Sequence, residues 1–344
     1  MSVEIASGRS PIGKRAGLDH ELSAVRRLKA SAEKYYDPEI DIDWDAPLVP
    51  GAHWLSEHRT SLSGTGLWKG LTAEQRVEFG RQQFGTMMII GLWFESGLGV
   101  YLYHDLVVSP VESSRTRYLL TQIGEETRHS TMFSRLVEKM SEAGSPITYR
   151  IPGGLKGAVL TLLSMFPVGA APYAFILMAE EVLDRLQREG MNDPAVQPHA
   201  RTAMRIHVIE EARHEAFAKE EIVRGYQNGG RFGRFVIRVV AGFTALLFAT
   251  MGLTNPQMYR AVGISPTRGI LTALFSKQYR TNAQFLLGPI SRFFYDVGII
   301  RGFTAKLLWR FSRGLADDVK VAMKDGSERQ SATAQVAPVR SRTL

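Results

Sequence analysis

Two pentapeptides in this chain carry the residue types of a metal site. Glu125-Glu126-Thr127-Arg128-His129 and Glu210-Glu211-Ala212-Arg213-His214 share the pattern Glu-Glu-x-Arg-His and lie 85 residues apart. In each, the second Glu and the His stand at i and i+3, so on a helix both project from one face. A single Glu-x-x-His is about what chance provides in a chain of ordinary composition. Two with the same flanks are stronger, and the repeat extends further. Glu95 precedes Glu126 by 31 residues, and Glu180 precedes Glu211 by the same 31. Glu95, Glu126 and His129 thus map onto Glu180, Glu211 and His214 by one constant offset. A Glu from each of two helices and Glu-x-x-His from each of two more is the inventory of a di-metal carboxylate site in a four-helix bundle.

Glu95 sits in the apolar run MMIIGLWFESGLGVYLY, where an ionised carboxylate without a partner is very costly. A metal ion is one partner that removes the cost. The offset selects Glu180 over Glu181, and Glu180 also lies nearer the apolar stripe of Phe175, Ala179, Val182 and Leu183. His207 precedes Glu211 by four residues and shares its face; its counterpart in the first half is Gln122. It reads as a third imidazole ligand or as a donor to a ligand carboxylate. Glu125, Arg128, Glu210 and Arg213 read as outer ion pairs of the site or as i, i+3 pairs on a solvated face, the commoner case. Four carboxylates and three imidazoles with no sulfur suit two neighbouring iron ions, with manganese as the alternative. Two ferrous ions can each pass one electron to dioxygen, the co-substrate, giving a peroxo-diferric intermediate.

These residues must be held by helices. Thr72 with Gln75 predicts a capping box opening a helix that runs to about Val108. A second helix is predicted from Val111 to Ala143, a third region up to Pro167, and another from near Pro172 to Gly190. Asp193-Pro194 predicts the next helix start, with its end at Asn228-Gly229-Gly230. Apolar helices follow to about Lys324. No alternating run is long enough for a central strand, so the fold class is all-α. Tyr35 to Gly70 lacks a helical period and reads as an extended arm wrapping the domain. The expected division is a flexible N-terminal segment with a lead-in helix over 1–34, one domain over 35–324, and a disordered tail over 325–344. Within the first part, Met1 to Ala16 reads as solvated.

Composition sets the outer bounds. The chain has 344 residues, 44% hydrophobic and 22% charged, as globular proteins do. It has no cysteine, which removes disulfides, thiolate metal sites and cysteine nucleophiles together. The net charge is +8, but the basic residues at the termini are not clustered with aromatics, so nucleic-acid binding is not expected. The N-terminus has no apolar secretory core, and the expected location is cytoplasmic. Gly157 to Ala179 and Val239 to Tyr259 carry no charge. Interrupting prolines and polar residues favour buried core helices there over a peripheral membrane contact. Met87, Met88, Trp93, Phe94 and Tyr101 form a stripe that reads either as a pocket wall or as plain core.

The order Glu…Glu-x-x-His…Glu…Glu-x-x-His resembles the ferritin-like di-iron carboxylate proteins. The additional His207, with Tyr36-Asp37-Pro38, Asp43-Trp44-Asp45 and Gly64-Thr65-Gly66-Leu67-Trp68 in the arm, is similar to the p-aminobenzoate N-oxygenase family over about residues 35–315. That resemblance implies a ferritin-like four-helix bundle with additional helices and an extended N-terminal arm. It implies metal ligands at Glu95, Glu126, His129, Glu180, His207, Glu211 and His214, and a homodimer. It also implies oxidation of an amine nitrogen of a small organic substrate. No flavin or nicotinamide motif is visible, so electrons are expected from an external donor such as a ferredoxin or reductase. The alternatives are a hydroxylase or desaturase acting on C–H bonds of a lipid-like substrate, and a non-redox iron-binding protein. A radical-generating subunit is disfavoured because Gly99, not Tyr, stands one turn after Glu95.

Overall fold

The structure, a computed structural model, describes residues 11–251 and 255–325. Helix α1 (Pro11–Glu33) leads into an arm holding the short α2 (Pro38–Asp41) and α3 (Gly66–Lys69). The long helices α4 (Ala73–Val107) and α5 (Ser114–Glu142) follow. Then come α6 (Gly153–Met165), α7 (Ala170–Gly190), α8 (Pro198–Asn228) and α9 (Arg231–Met251). The chain closes with α10 (Pro256–Arg260), α11 (Pro266–Phe275), α12 (Lys277–Val297), α13 (Phe303–Ser312) and α14 (Asp317–Asp325). Among the described residues there is no β-strand; one isolated bridge pairs His53 with Val196.

The bundle consists of α4 packed on α5 and α7 packed on α8, the two pairs joined by the crossover through α6. This is the ferritin-like arrangement, with one long connection between two helix hairpins. The Thr72 capping box forms as predicted: Thr72 Oγ1 accepts from the Gln75 amide, and the Gln75 side chain accepts from the Thr72 amide. Helix α5 starts later than predicted because the Ser113 side chain caps it. Helix α8 starts at Pro198, not Pro194. The intervening residues are claimed by the arm: the His53 amide donates to the Ala195 carbonyl, and the Gln197 amide donates back to His53. The arm thereby pins the turn between α7 and α8, helped by Arg59 on Glu189 and by Ser56 on Asp193. Trp54, Leu55 and Ile42 of the arm are buried against α4, α5 and α8.

Residues 11–16 form the first turns of α1, and the rest of the expected solvated start, 1–10, lies outside the described residues. Of the expected C-terminal tail, 325–344, Asp325 is helical as the last residue of α14, and 326–344 lie outside the described residues. One expectation is corrected. The charge-free run Val239 to Tyr259 is not a buried core helix throughout. Helix α9 buries Ile237, Ala241 and Ala245 but turns Phe235, Phe243 and Leu247 to solvent, and residues 252–254 lie outside the described residues. The run Gly157 to Ala179 is split at Phe166–Gly169 between α6, whose described side chains are mostly exposed, and a buried α7.

Candidate metal centre

Each bundle helix brings one part of the cluster. Glu95 comes from the middle of α4 and Glu180 from α7. Glu126 and His129 come from α5; His207, Glu211 and His214 come from α8. All seven are buried. They fall into overlapping groups whose ligand-capable atoms lie within 4.8 Å of one another: Glu126, His129, Glu211 and His214; Glu95, His129 and His207; Glu180, His207 and Glu211; Glu95, Glu126 and Glu180. Glu181, the neighbour passed over by the 85-residue offset, stands outside these groups and pairs with Lys219 at 3.2 Å.

The two Glu-x-x-His motifs face each other. His129 Nδ1 lies 3.1 Å from Glu126 and 3.1 Å from Glu211. His214 Nδ1 lies 2.9 Å from Glu126 and 3.0 Å from Glu211. The opposite ring nitrogens are occupied. His129 Nε2 bonds Glu210 at 2.8 Å, and His214 Nε2 bonds Glu125 at 2.7 Å. An ionised carboxylate only accepts, so Nε2 carries the proton and Nδ1 is aimed into the cluster. Arg213 holds Glu125 at 2.7 Å, and Arg128 reaches Glu210 at 3.3 Å. The solvated-face reading of Glu125 and Glu210 is therefore wrong: both are buried and orient the histidines across the bundle. The Glu-Arg spacing could not reveal this, since it fits both situations.

His207 occupies the place of Gln122 in the other half, and the two differ in kind. Gln122 donates to Glu126 at 3.2 Å. His207 has no hydrogen-bond partner at either nitrogen; its Nε2 lies 3.6 Å from Glu95 and 3.9 Å from Glu211. Both carboxylate oxygens of Glu95 and of Glu180, and one of Glu211, likewise lack a partner. Buried carboxylates and imidazoles left this way are costly. The donor set is oxygen and nitrogen without sulfur. Such a cluster fits a pair of hard or borderline metal ions.

Its electrostatics point the same way. Burial, then repulsion from Glu126 and Glu211, lifts Glu95 well above the ordinary carboxylate range. Burial and repulsion chiefly from Glu211 do the same to Glu180. Burial opposes charge on Glu126 and Glu211 too, but the His214 and His129 imidazoliums outweigh it and hold both below that range. Burial also opposes the imidazoliums, yet contacts with Glu126, Glu211 and their outer partners Glu210 and Glu125 raise both. Burial and the neighbouring His129 push His207 down to about 3, so it is neutral. The raised groups, Glu95, Glu180, His129 and His214, are those that favour holding protons in the ion-free cluster, where two cations would otherwise balance the charge.

A cavity of about 130 Å³ opens beside Glu95 and Glu180, between α4, α7, α9 and α12. Its walls include Met87, Phe94, Val182, Leu183, Phe248 and Leu286. Of the apolar stripe read from the sequence, Met87 and Phe94 line it, while Met88 and Tyr101 are core. Its lining also includes the polar side chains of Arg59, Gln83 and Asn282, which sequence spacing gave no means of finding. Arg59 is already held by Glu189 and lies over the Phe285 ring at 3.5 Å.

An all-α bundle with a buried cluster of carboxylates and imidazoles, fed by each of its four helices, defines a ferritin-like carboxylate metalloprotein. Residues 19–298 match the p-aminobenzoate N-oxygenase AurF family, and the chain belongs to it. That family is one of diiron oxygenases. The chain is also 25% identical, over 297 residues, to the uncharacterised proteins Rv0885 and MT0908 of Mycobacterium tuberculosis and Mb0909 of Mycobacterium bovis. The similarity covers 83% of this chain and 84% of each of theirs.

Proposed function

We propose that this chain is a diiron oxygenase that oxidises an amine nitrogen of a small organic substrate held in the cavity beside Glu95 and Glu180. The observation that carries the reading is that Glu95 and Glu180, whose carboxylate oxygens have no partner, line the cavity on one side and belong to the cluster on the other, beside the unpartnered nitrogens of His207. Glu95, Glu126, His129, Glu180, His207, Glu211 and His214 would hold two iron ions, His129 and His214 through Nδ1. When bound, the iron pair supplies the reduction and activation of dioxygen. Glu125 and Glu210 keep each histidine in its Nδ1-presenting tautomer. The apolar walls exclude water and favour the neutral form of an amine over its ammonium form. Arg59, the cationic side chain on the cavity, is neutralised by Glu189, so an anionic substrate gains little there. Electrons would come from an external donor such as a ferredoxin or reductase.

The test is turnover of the iron-loaded protein with a panel of arylamines, dioxygen and a chemical or protein reductant, with products read by mass spectrometry. Hydroxylamine, nitroso or nitro products that vanish in Glu126→Ala and Glu211→Ala support the reading. Unchanged products in both variants would overturn it. A second reading is C–H oxidation of an acyl chain, favoured by the contribution of Phe248 and Ala249 from the solvent-facing helix α9 to the cavity wall. Fatty acids in the same panel separate the two.

A further inference from the structure

The metal cluster leaves one large feature unused, the outer surface of the C-terminal helices. Residues 222–316 contain 13 Lys and Arg and a single acidic residue, Asp296. That excess is larger than the +8 of the whole chain, so the remainder is acidic on balance. Within this segment α9 and α13 pack side by side. Gly242 of α9 comes so close to Leu308 of α13 that a Cβ on it would lie 2.9 Å from the Leu308 Cβ.

Each of these two helices buries one face and turns the other outward, and both outward faces are apolar. On α9 the exposed side chains are Phe232, Phe235, Phe243 and Leu247, opposite the buried Ile237, Ala241 and Ala245. On α13 they are Phe303, Leu307 and Phe311, opposite the buried Ala305 and Trp309. Phe232 and Phe303 are 79% and 81% exposed, values far beyond those of a core aromatic. Only 28% of the most apolar stretch of α9 is buried against the rest of the chain. Arg313, at the C-terminal end of α13, bonds the Leu274 carbonyl of α11, whose Leu271 and Phe275 are also exposed. Arg231, Lys306 and Arg310 lie among the aromatics on these same helices, and neither α9 nor α13 has an acidic residue.

Exposed phenylalanines spaced along a helix face, interleaved with cations, need a partner that is apolar in depth and anionic at its surface. A second copy of the same face would oppose cation to cation. We propose that the α9–α13 face docks the protein on an anionic lipid bilayer. The phenylalanines enter the acyl boundary, and Arg231, Lys306 and Arg310 meet the headgroup charge. The attachment is peripheral. Helix α9 packs through its other face on α7 and α12, and it carries three arginines in its first half, so it does not leave the bundle to span. The Phe248 end of α9 also walls the cavity, so docking brings the bilayer close to it; the surface itself stands whatever the chemistry of the cluster.

The test is co-sedimentation of the full-length, iron-loaded protein with vesicles of phosphatidylcholine alone and of equimolar phosphatidylcholine and phosphatidylglycerol. Partitioning onto the anionic vesicles is expected to exceed that onto neutral ones by at least about tenfold and to fall as salt is raised. The variant Phe232→Ser/Phe243→Ser/Phe303→Ser removes side chains that no core contact needs. It should lose about tenfold or more in partitioning with its iron content unchanged. The variant Arg231→Glu/Lys306→Glu/Arg310→Glu should abolish the preference for anionic vesicles. Absence of wild-type binding to the anionic vesicles overturns the proposal, as does binding that survives both variants. A dimer in solution that the phenylalanine variant splits into monomers also overturns it, since the face would then join two copies of this chain.

Discussion

Glu95 and Glu180 each present two unpartnered oxygens to the same small volume, and burial with repulsion keeps their protons on. His129 and His214 carry protons there too, held by Glu126 and Glu211. Two divalent cations would displace the protons of all four groups and leave the cluster neutral, because four carboxylates balance two such ions. Loading iron at neutral pH should therefore release about four protons per pair of ions. Calorimetric titration in two buffers of different ionisation enthalpy measures the number; a value near zero contradicts the arrangement. Removing one of these acids should separate stability from binding. In the ion-free protein Glu180→Gln replaces a neutral acid by a neutral amide, so its unfolding free energy should stay within about 1 kcal/mol of wild type. Its iron content should at least halve. A Glu125→Gln variant keeps every proposed ligand but weakens the hold on His214 Nε2. It should lower metal affinity by about tenfold to a hundredfold, and Glu210→Gln should match it through His129. The seven inner residues were legible in the sequence because a constant offset links six of them and helical register adds His207. Glu125 and Glu210 were not legible, because only the crossing of α5 and α8 decides whether a Glu beside a motif meets water or an imidazole.

The helices obey local rules that can be tested singly. The Thr72 cap sits on the exposed start of α4, so Thr72→Ala should cost about 1 kcal/mol, read by denaturant unfolding, without altering metal content. Gly225 on α8 is different, because there close approach rather than capping decides. A Cβ at that position would meet the Ala170 Cβ at 2.8 Å and the Ala170 amide nitrogen at 3.1 Å, where α7 begins. Gly225→Ala should therefore destabilise by about 1–3 kcal/mol, although alanine is the better helix former. A stabilised variant would show that α7 and α8 can part at that point. Element identities were legible throughout the bundle from caps, prolines and glycines. The start of α8 was not, because Asp193-Pro194 is a sound local signal overridden by the arm, whose pairing through His53 and Gln197 spans some 140 residues of sequence. The solvent-facing side of α9 was missed for a related reason. An uncharged run reads as core until the neighbours that would cover it are counted.

At the scale of the whole molecule, one polar knot ties the bundle beyond the metal cluster. Glu221 of α8 meets His20 of α1 at 2.9 Å and Arg115 of α5 at 3.1 Å. Arg115 also holds Asp105 of α4, which accepts from Tyr173 of α7. Every bundle helix and the lead-in helix thus share one network. Burial acts to raise Glu221, but His20, Arg115 and Arg224 outweigh it and hold the carboxyl at about 2, against an ordinary value of 4.5. A depressed carboxylate stabilises the fold above its unfolded pKa, and that contribution is lost as pH falls through its folded pKa. Glu221→Gln should thus be less stable at neutral pH by on the order of 3 kcal/mol. The deficit should close between about pH 4.5 and pH 2. A deficit that is the same at pH 7 and pH 2 would mean that the loss is one of packing rather than charge.

The crossed bonds around the two histidines have a further consequence. Glu125 to His214 and Glu210 to His129 exchange with each other under the 85-residue offset, and so do Arg213 to Glu125 and Arg128 to Glu210. A pair of contacts that exchange when the two sides are swapped is what a two-fold axis produces between identical subunits. The centre of this single chain therefore has the contact geometry of a symmetric dimer of half-length chains, in which neither half could orient its own imidazole. Among the seven cluster residues and their counterparts, His207 opposite Gln122 is the pair that breaks that symmetry, so two ions held there would not be equivalent.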